Sequence, residues 1–503
     1  MGEAITEELL TLRECEVYDR VRPGPDQKVI GCRWVFVRKR NDKGIVVRHR
    51  ARLVAKGFQQ CPGWDYTEVY NPVVTFTLVR IAFMVLVVLG GWLHNHLEVK
   101  CAYLYGTLDK PIHMEVPAGV KGQPGEAWLL KKALYGLHQA GRCWWGTLQE
   151  QLLRNGFVPF ESCECVYWYE RKALVMVYVD DILIFAKDRQ TLTDMQRKLT
   201  GIFQMTDLGP TTTFLGIQIQ ENSRLGTVYM NQEPYISEMS RRMDMIPVRG
   251  AREPMKVGAV YSRQLLGEAT EELPYPYRSL IGSLLYIARM TRPDLLIAVN
   301  TLAKYTSKPT LLAWTHAEHL MNYVRQTCSK SMVLSRRFAD GIRGFSDASW
   351  GSDVDTSYSV SGLLVLIGNS PIIWRSARQT IIAQSTMEAE TMAQVEMVKE
   401  LVWLDEILQE LKPVMPKEFG KIEVLIDNES AMFAIKNAVE NGSTKHFTRK
   451  LRFVRDHYTK GLFSLRHVST NSNLADALTK PLSASKLDTL TPYLSDCRDS
   501  SKL

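Results

Sequence analysis

Residues Ala173 to Ala186 read ALVMVYVDDILIFA, a 14-residue run whose only charged members are the adjacent Asp180 and Asp181. Branched and aromatic residues on either side of a polar pair predict two strands of a hairpin with the acidic pair at its tip. Two ionised carboxylates buried without a partner would destabilise the domain severely. A bound divalent cation removes that penalty. Adjacent carboxylates on a rigid hairpin are what two-metal phosphoryl transfer uses, with metals ~3.5 to 4 Å apart at the attacking and leaving oxygens. Taken alone, the pair fits an ordinary acidic turn equally well, so the choice rests on the surrounding chain.

Upstream of the hairpin, Leu148 to Leu153 predicts an amphipathic helix closed by Asn155-Gly156. Val79 to Leu89 predicts a buried helix, His96 to Tyr105 a strand, and Pro111 to Gly125 a loop broken by Pro and Gly. Residues 15 to about 75 alternate β-like runs (Cys32 to Val37, Ile45 to Val47) with the turn Asp42-Lys43-Gly44, predicting a basic hairpin. After Phe214 to Gln220 the period becomes helical over Pro234 to Arg242, Tyr277 to Met290, Leu295 to Tyr305 and Leu312 to Thr327. A strand at Gly344 to Ser346 opens a second α/β pattern ending near Leu482, which sets a boundary near Arg336 to Gly341. The polar residues beyond it read as a tail.

Hydrophobic content of 45% and charged content of 23% over 503 residues describe a globular chain of two to four domains. The longest apolar stretch, Ile81 to Leu93, is interrupted by Gly90-Gly91 and falls short of the ~20 residues of a membrane span. No basic leader precedes an apolar core at the N-terminus, so the expectation is a protein that is not secreted. The nine scattered cysteines show neither a disulfide framework nor paired zinc spacing and read as reduced thiols. His94/His96 and His316/His319 lack a neighbouring Cys or carboxylate set in the sequence, and read as surface or satisfied histidines. The net charge of +8 is clustered. Nine Lys/Arg against Asp42 lie between Arg33 and Lys56, and seven against Asp456 between Lys445 and Arg466. Beside a metal site such blocks suit a polyanion that releases counterions on binding, which points to nucleic acid.

Tyr178-Val179-Asp180-Asp181 resembles the catalytic hairpin of reverse transcriptases. It is one of a series in the same order: Ile30-Gly31-Cys32-Arg33-Trp34-Val35-Phe36, Ala51-Arg52-Leu53-Val54-Ala55-Lys56-Gly57-Phe58, Leu134-Tyr135-Gly136-Leu137 and Phe214-Leu215-Gly216-Ile217. Thr291-Arg292-Pro293-Asp294, Ser346-Asp347-Ala348, Ile426-Asp427-Asn428 and Ala475-Asp476-Ala477-Leu478-Thr479-Lys480 complete it. Together they resemble the polymerase and ribonuclease H region of Ty1/copia-type LTR retrotransposons over nearly the whole chain. The fold implied is an α+β polymerase right hand (fingers, palm, thumb) followed by an α/β ribonuclease H-like domain with a mixed sheet. The implied domains are fingers and palm at 1–230, thumb or connection helices at 231–335, the ribonuclease H-like domain at 336–485 and a polar tail at 486–503.

The resemblance implies a polymerase triad of Asp180, Asp181 and Glu98, the last in Leu97-Glu98-Val99-Lys100 where the family has aspartate. Glutamate carries its carboxylate ~1.5 Å further out, whereas Mg²⁺ demands near-ideal octahedral geometry at ~2.0 to 2.1 Å, so the expectation is impaired polymerisation. Tyr103 is implied under the incoming sugar, Arg50, Arg52 and Lys56 on the triphosphate, and Gly136 where the backbone nears the nucleotide. Phe214, Leu215 and Gly216 are implied as the primer grip. His138 stands where lysine is common and Gly141 where proline is common.

In the second unit Asp347, Asp427 and Asp476 join a glutamate. Ser385-Thr386-Met387-Glu388 has capping-box spacing, which gives Glu388 a structural task and leaves Glu390 free, one step from the apolar face Ala389, Ala393, Met397, Leu401, Leu404 and Leu408. The resemblance independently selects Glu390, and it assigns His467 to product release; a structural histidine is the other reading. Thr448 stands where the family usually has Asp. The implied cofactors are two Mg²⁺ or Mn²⁺ ions per site, both of which accept oxygen ligands. The implied partners are RNA template, DNA primer, RNA-DNA hybrid and dNTPs, with association with other retrotransposon proteins and no membrane. The implied location is the cytoplasm, in a virus-like particle, and the nucleus. Glu98, His138 and Gly141 keep a second reading open: a decayed or recruited copy that binds nucleic acid, or one retaining only hybrid nuclease activity.

Overall fold

The computed structural model describes residues 2–40, 46–243, 250–259, 261–262, 276–336, 341–415, 419–437, 447–494 and 496–497. Asp42-Lys43-Gly44, most of the expected boundary at 336–341 and residues 444–446 of the second basic block lie outside them. The chain forms two compact units, Met1–Val74 with Leu93–Pro210, and Thr75–Trp92 with Thr211–Leu503.

In the first unit a six-stranded antiparallel sheet runs in the order Met205–Asp207, Leu93–Val99, Asp181–Ala186, Ala173–Tyr178, Val166–Tyr169, Val158–Pro159. Alternation puts Leu97, Val99, Val175, Val177, Ile182 and Ile184 on one face. That face is covered by Trp144, Leu148 and Leu152 of the helix Ala140–Arg154 and by Leu192, Met195 and Leu199 of the helix Arg189–Ile202. The first of these helices begins eight residues before the predicted Leu148, because Ala140, Cys143 and Trp144 extend the same buried stripe. A four-stranded sheet of Tyr18–Val21, Ala127–Lys132, Thr107–Glu115 and Val29–Ile30 and the two-stranded ribbon Cys32–Arg40 with Val46–Ala55 complete the unit.

Two sequence readings are corrected here. The expected loop Pro111 to Gly125 begins only after Glu115: its first residues belong to the strand Thr107–Glu115, which pairs with Ala127–Lys132, and Pro111 falls in the register break between Thr107 and Ile112, where it owes no ladder hydrogen bond. The expected strand His96 to Tyr105 stops at Val99. Cys101 is left-handed (φ 54°), and Ala102–Tyr105 forms a 3₁₀ turn.

In the second unit the apolar helix, capped by Thr75, is α-helical over Phe76–Ala82 and π-helical over Phe83–Leu89. Arg80 is buried with its guanidinium 3.8 Å from the Trp374 ring centre, and burial lowers its pKa to about 9. A five-stranded sheet holds Thr213–Phe214, Ile217–Asn222, Thr227–Asn231, Lys330–Ser335 and Asp496–Cys497 in that order. Position 230 lies inside the strand Thr227–Asn231, and the two compact units meet in sequence at Pro210/Thr211. The helices Glu233–Arg242, Tyr277–Met290, Leu296–Ala303 and Leu311–Gln326 fall close to their predicted spans.

Among them Arg292 clamps Asp294 with two 2.8 Å bonds, both side chains nearly inaccessible to solvent, while Tyr323 Oη donates to the same carboxylate. Burial pushes the Asp294 carboxyl up, but the Arg292 charge and hydrogen bonds outweigh it and hold the pKa below its ordinary value. Asp294→Asn is expected to cost about 3 to 5 kcal/mol, because it leaves a buried guanidinium uncompensated. The depressed pKa fixes the sign with pH: the pair's contribution is full above the unfolded value of ~3.9 and disappears as pH falls through the lower folded value. Urea midpoints of both chains at pH 7 and pH 3 measure both effects.

The second α/β pattern is a five-stranded mixed sheet in the order Ser370–Arg378, Val360–Ile367, Ile342–Ser349, Ile422–Ile426, Phe463–His467. Its first three strands are antiparallel and the last two run parallel to the central one. Val360–Ile367 is buried on both faces, so it lacks the alternation that marks a strand in sequence. The helix Thr386–Leu411 covers the sheet, with all six predicted apolar-face residues buried. Its cap differs slightly from expectation: Ser385 Oγ accepts from the Glu388 amide, but Glu388 reaches back to the Gln384 amide rather than to Ser385. Within the expected tail at 486–503, the described residues include most of a helix Ala484–Leu494, which buries Leu487 and Leu490, and the strand Asp496–Cys497. Among the described residues no helix is long and apolar enough to cross a membrane.

Candidate active sites

The hairpin Ala173–Tyr178 and Asp181–Ala186 closes on the pair Tyr178 and Asp181, leaving Val179 and Asp180 as a two-residue tip. Val179 is left-handed (φ 55°), a conformation that costs a β-branched residue and that such turns normally give to glycine. Trp144 Nε1 donates to the Val179 carbonyl at 2.7 Å and holds it there. The next strand places Glu98 directly opposite Asp181, and the Val99 amide donates to the Asp180 carbonyl at 2.7 Å. The register therefore brings Glu98, Asp180 and Asp181 to the same end of the sheet. Burial, then the negative charges of Asp181 and Glu98, raise the Asp180 pKa, with Arg52 partly offsetting them.

Tyr103 stands on the 3₁₀ turn, half-buried and edge-on to Tyr135, with its pKa raised by burial and then by Asp180. Arg50 and Arg52 lie on one half-buried face of the ribbon, alternating with buried Ala51, Leu53 and Ala55, and half-buried Lys56 follows directly after the strand. The Arg52 guanidinium sits 4.5 Å from the Tyr135 ring centre, and Lys56 Nζ is 3.8 Å from Glu115 Oε1. Gly136 has φ +91°, and a Cβ there would stand 2.2 Å from the Ala55 carbonyl oxygen, so the turn needs glycine to lie against the ribbon. The His138 amide donates to Gln60 Oε1, and Gly141 lies in the first turn of the Ala140–Arg154 helix against Asn71.

In the second unit Phe214, Leu215 and Gly216 form a tight hairpin, with Leu215 (φ 49°) and Gly216 (φ 73°) both left-handed and Tyr286 Oη donating to the Leu215 carbonyl.

The carboxylates of the five-stranded mixed sheet assemble differently. Asp347 projects from inside the central strand, Asp427 follows Ile426 at the end of its parallel neighbour, and Glu390 stands on the second turn of the long helix. One ligand oxygen from each lies within 4.8 Å of the others. Glu390 Oε1 accepts from the Ala348 amide at 3.3 Å, while Oε2 is buried without a hydrogen-bond partner. Buried carboxylates with an orphaned oxygen fit a divalent cation bound through oxygen. Burial, then the charges of Asp347 and Asp427, push Glu390 up to about 9, and burial pushes Asp347 up to about 6. Asp476 does not join this triad. It is fully buried, with one oxygen 2.7 Å from Lys480 Nζ and the other 2.6 Å from Lys486 Nζ. Lys480 also stands 3.7 Å from Asp347, so lysines neutralise this end of the acidic set. His467 ends its strand half exposed, 4.0 Å from Glu429.

A cation held by Asp347, Glu390 and Asp427 would meet a Glu390 whose pKa burial and its acidic neighbours push up to about 9, so its uptake is expected to depend on pH. Cation binding must displace its proton, so affinity is expected to rise between pH 6 and about 9, with roughly one proton released at pH 7.5. Titration calorimetry in two buffers of different ionisation heat counts that proton. Without metal, the raised pKa contributes stability that is full below the unfolded value of ~4.3 and is lost as pH rises through about 9.

One functional contact escaped the sequence. His96 and His94 are both buried, and His96 Nε2 lies 2.7 Å from Asp181 Oδ1, so His96 does have a carboxylate beside it. The signal was its place two residues before Glu98, on the same strand face, but the partner comes from a strand some 85 residues away. His316 packs edge-on against the Tyr261 ring, and His319 Nε2 lies 3.0 Å from the Glu253 carbonyl oxygen.

An antiparallel sheet with an acidic hairpin tip, followed by a five-stranded mixed sheet with clustered carboxylates, defines the class: an α+β polymerase right hand followed by an α/β ribonuclease H-like domain. Two foamy viral protease-reverse transcriptase structures, one with ds DNA and one with an RNA/DNA hybrid, share the fold at TM-score 0.51. They are 11% and 12% identical, over 93% of this chain and 69% and 53% of theirs. Residues 15–257 match the family "Reverse transcriptase (RNA-dependent DNA polymerase)". The Pol polyproteins of transposons RE1 from Arabidopsis thaliana and TNT 1-94 from Nicotiana tabacum are 35% and 31% identical over 93% and 97% of this chain. The chain belongs to the Ty1/copia-type retrotransposon Pol family, as its reverse transcriptase region with the ribonuclease H-like part. It spans 32% and 37% of the length of those two relatives.

Proposed function

We propose that this chain is an RNA-directed DNA polymerase with ribonuclease H activity, acting on RNA template, DNA primer, dNTPs and RNA-DNA hybrid. The observation that carries the polymerase reading is the register that sets Glu98 opposite Asp181 beside the Asp180 tip. Bound Mg²⁺ or Mn²⁺, two ions per site, supplies activation of the attacking oxygen and charge neutralisation at the leaving one. Asp180, Asp181 and Glu98 would hold the ions of the first site, and Asp347, Glu390, Asp427 and Asp476 those of the second. Arg52, with Arg50 and Lys56, neutralises the triphosphate; Tyr103 lies under the sugar; the Gly136 turn lets backbone approach the nucleotide. The Phe214-Leu215-Gly216 hairpin presents the primer end. The functional division is 1–230, 231–335 and 336–485, working in a cytoplasmic virus-like particle with other retrotransposon proteins.

A nuclease-only reading is favoured by one contrast. Among the described residues the nuclease carboxylates alone bring three ligand atoms within 4.8 Å of one another. Extension of a labelled DNA primer on an RNA template with Mg²⁺, scored with loss of the RNA strand in the same tube, separates the readings. RNA loss without extension by either the native chain or Glu98→Asp would sink the polymerase half.

A further inference from the structure

We propose that Trp350, with Ile381 and Ile382, forms a rigid apolar platform that seats the minor groove of an RNA-DNA hybrid beside the nuclease carboxylates, favouring hybrid over B-form DNA. The inference rests on the reading of Asp347, Glu390 and Asp427 as a nuclease site. Trp350 follows Asp347 by three residues, just past the end of the strand Ile342–Ser349. Ile381 and Ile382 lie on the loop that leads into the helix carrying Glu390. All three side chains are open to solvent, at 52%, 42% and 55% exposure.

Exposed apolar side chains are ordinary when they stand singly, but these are grouped and their support is fixed. Trp350 Nε1 donates to the Ala383 carbonyl at 2.9 Å, which ties the indole to the loop of the two isoleucines. Ala383, Ala389 and Met392 form a small buried cluster with Ala348 packed against it, and the Ala348 amide donates to Glu390 Oε1. Directly after Trp350, the Gly351 amide donates to Ser359 Oγ at 3.1 Å. The platform is thereby joined to the backbone that positions Asp347 and Glu390. An indole held in this way loses little side-chain freedom on contact.

Place and shape together name the occupant. A duplex that presents a phosphodiester to the carboxylates also presents its neighbouring nucleotides to the elements beside them. The platform offers apolar surface, and its one indole N–H is already bonded, so it packs on the sugar faces of a groove instead of reading base edges. The groove must be wide enough to admit it. A-form helices have a wide, shallow minor groove, a geometry that the RNA-DNA heteroduplex shares, whereas that of B-DNA is only ~6 Å wide. Positive charge for the flanking phosphates is at hand in exposed Arg378, three residues before Ile381, and in Lys480, 3.7 Å from Asp347.

The test uses the full chain labelled with fluorotryptophan, the Trp350 fluorine resonance being assigned by its loss in Trp350→Phe. Without divalent metal, a blunt RNA-DNA hybrid is expected to move that resonance, and a DNA duplex of the same sequence to leave it in place. With Mg²⁺, Trp350→Ala is expected to raise KM for hybrid cleavage by about 10-fold, the effect of withholding roughly 55 Å² of apolar surface from the contact, with kcat changed less than about twofold. Trp350→Phe, which keeps an aromatic face, is expected to recover most of that loss. The resonance is read on the native sequence, so it stands even where Trp350→Ala fails to fold. A resonance that both duplexes move alike overturns the proposal, as does an unchanged KM in Trp350→Ala. Cleavage of hybrid with an unmoved resonance defeats this inference alone, and a native chain that leaves hybrid uncut defeats the nuclease reading beneath it.

Discussion

Glu98→Asp is expected to raise primer extension on an RNA template by on the order of 100-fold, since a displacement of ~1 Å at a reacting centre costs about that factor. The backbone at position 98 is already placed for the task. It pairs with Asp181 in an unbroken antiparallel register from Leu93 to Glu98, so nothing in the strand shifts to absorb the extra methylene. The three carboxylates do not draw their ligand atoms into the tight group that the nuclease triad forms. Asp181 is meanwhile engaged by His96 at 2.7 Å. Shortening residue 98 restores the reach that an octahedral Mg²⁺ site requires. Steady-state rates of single-nucleotide addition with Mg²⁺, native chain against Glu98→Asp, measure it. Equal rates would mean that the site tolerates glutamate and that position 98 does not limit the chemistry.

The second large effect lies in the other unit. Glu390→Gln is expected to reduce cleavage of the RNA strand of a hybrid by ~10³-fold or more, because it removes several kcal/mol of charge stabilisation at ~1.4 kcal/mol per tenfold. Fold stability should hold or rise. Glu390 is buried beside two aspartates and held protonated up to about pH 9, so a neutral amide of the same shape keeps that uncharged state without opening a cavity and removes the loss of stability on ionisation at higher pH. Loss of cleavage with an unchanged or higher melting temperature identifies Glu390 as a group that serves the reaction at a cost to the fold. Retained cleavage would remove it from the site. Primer extension should be the same in Glu390→Gln as in the native chain.

What the sequence alone determined is local. The alternation and the adjacent aspartates of Ala173 to Ala186 specify the hairpin and its tip, because strand period and turn chemistry are carried by neighbouring residues. Ser385 and the apolar stripe from Ala389 specify the long helix and release Glu390 for other work, for the same reason. The tertiary structure decided whatever depends on contacts between residues distant in sequence. Pro111 sits in a strand because the residues on either side of it, Thr107 and Ile112, pair with Ala127–Lys132 across a register break. Residues 484–494 form a helix because Leu487 and Leu490 find a core. Asp476, predicted as a ligand, is held by Lys480 and Lys486, and His96, set aside as an ordinary histidine, meets Asp181 across the sheet. Backbone propensity acts over a few residues, whereas ion pairs and strand register act through space, and their partners are chosen only once the chain has folded.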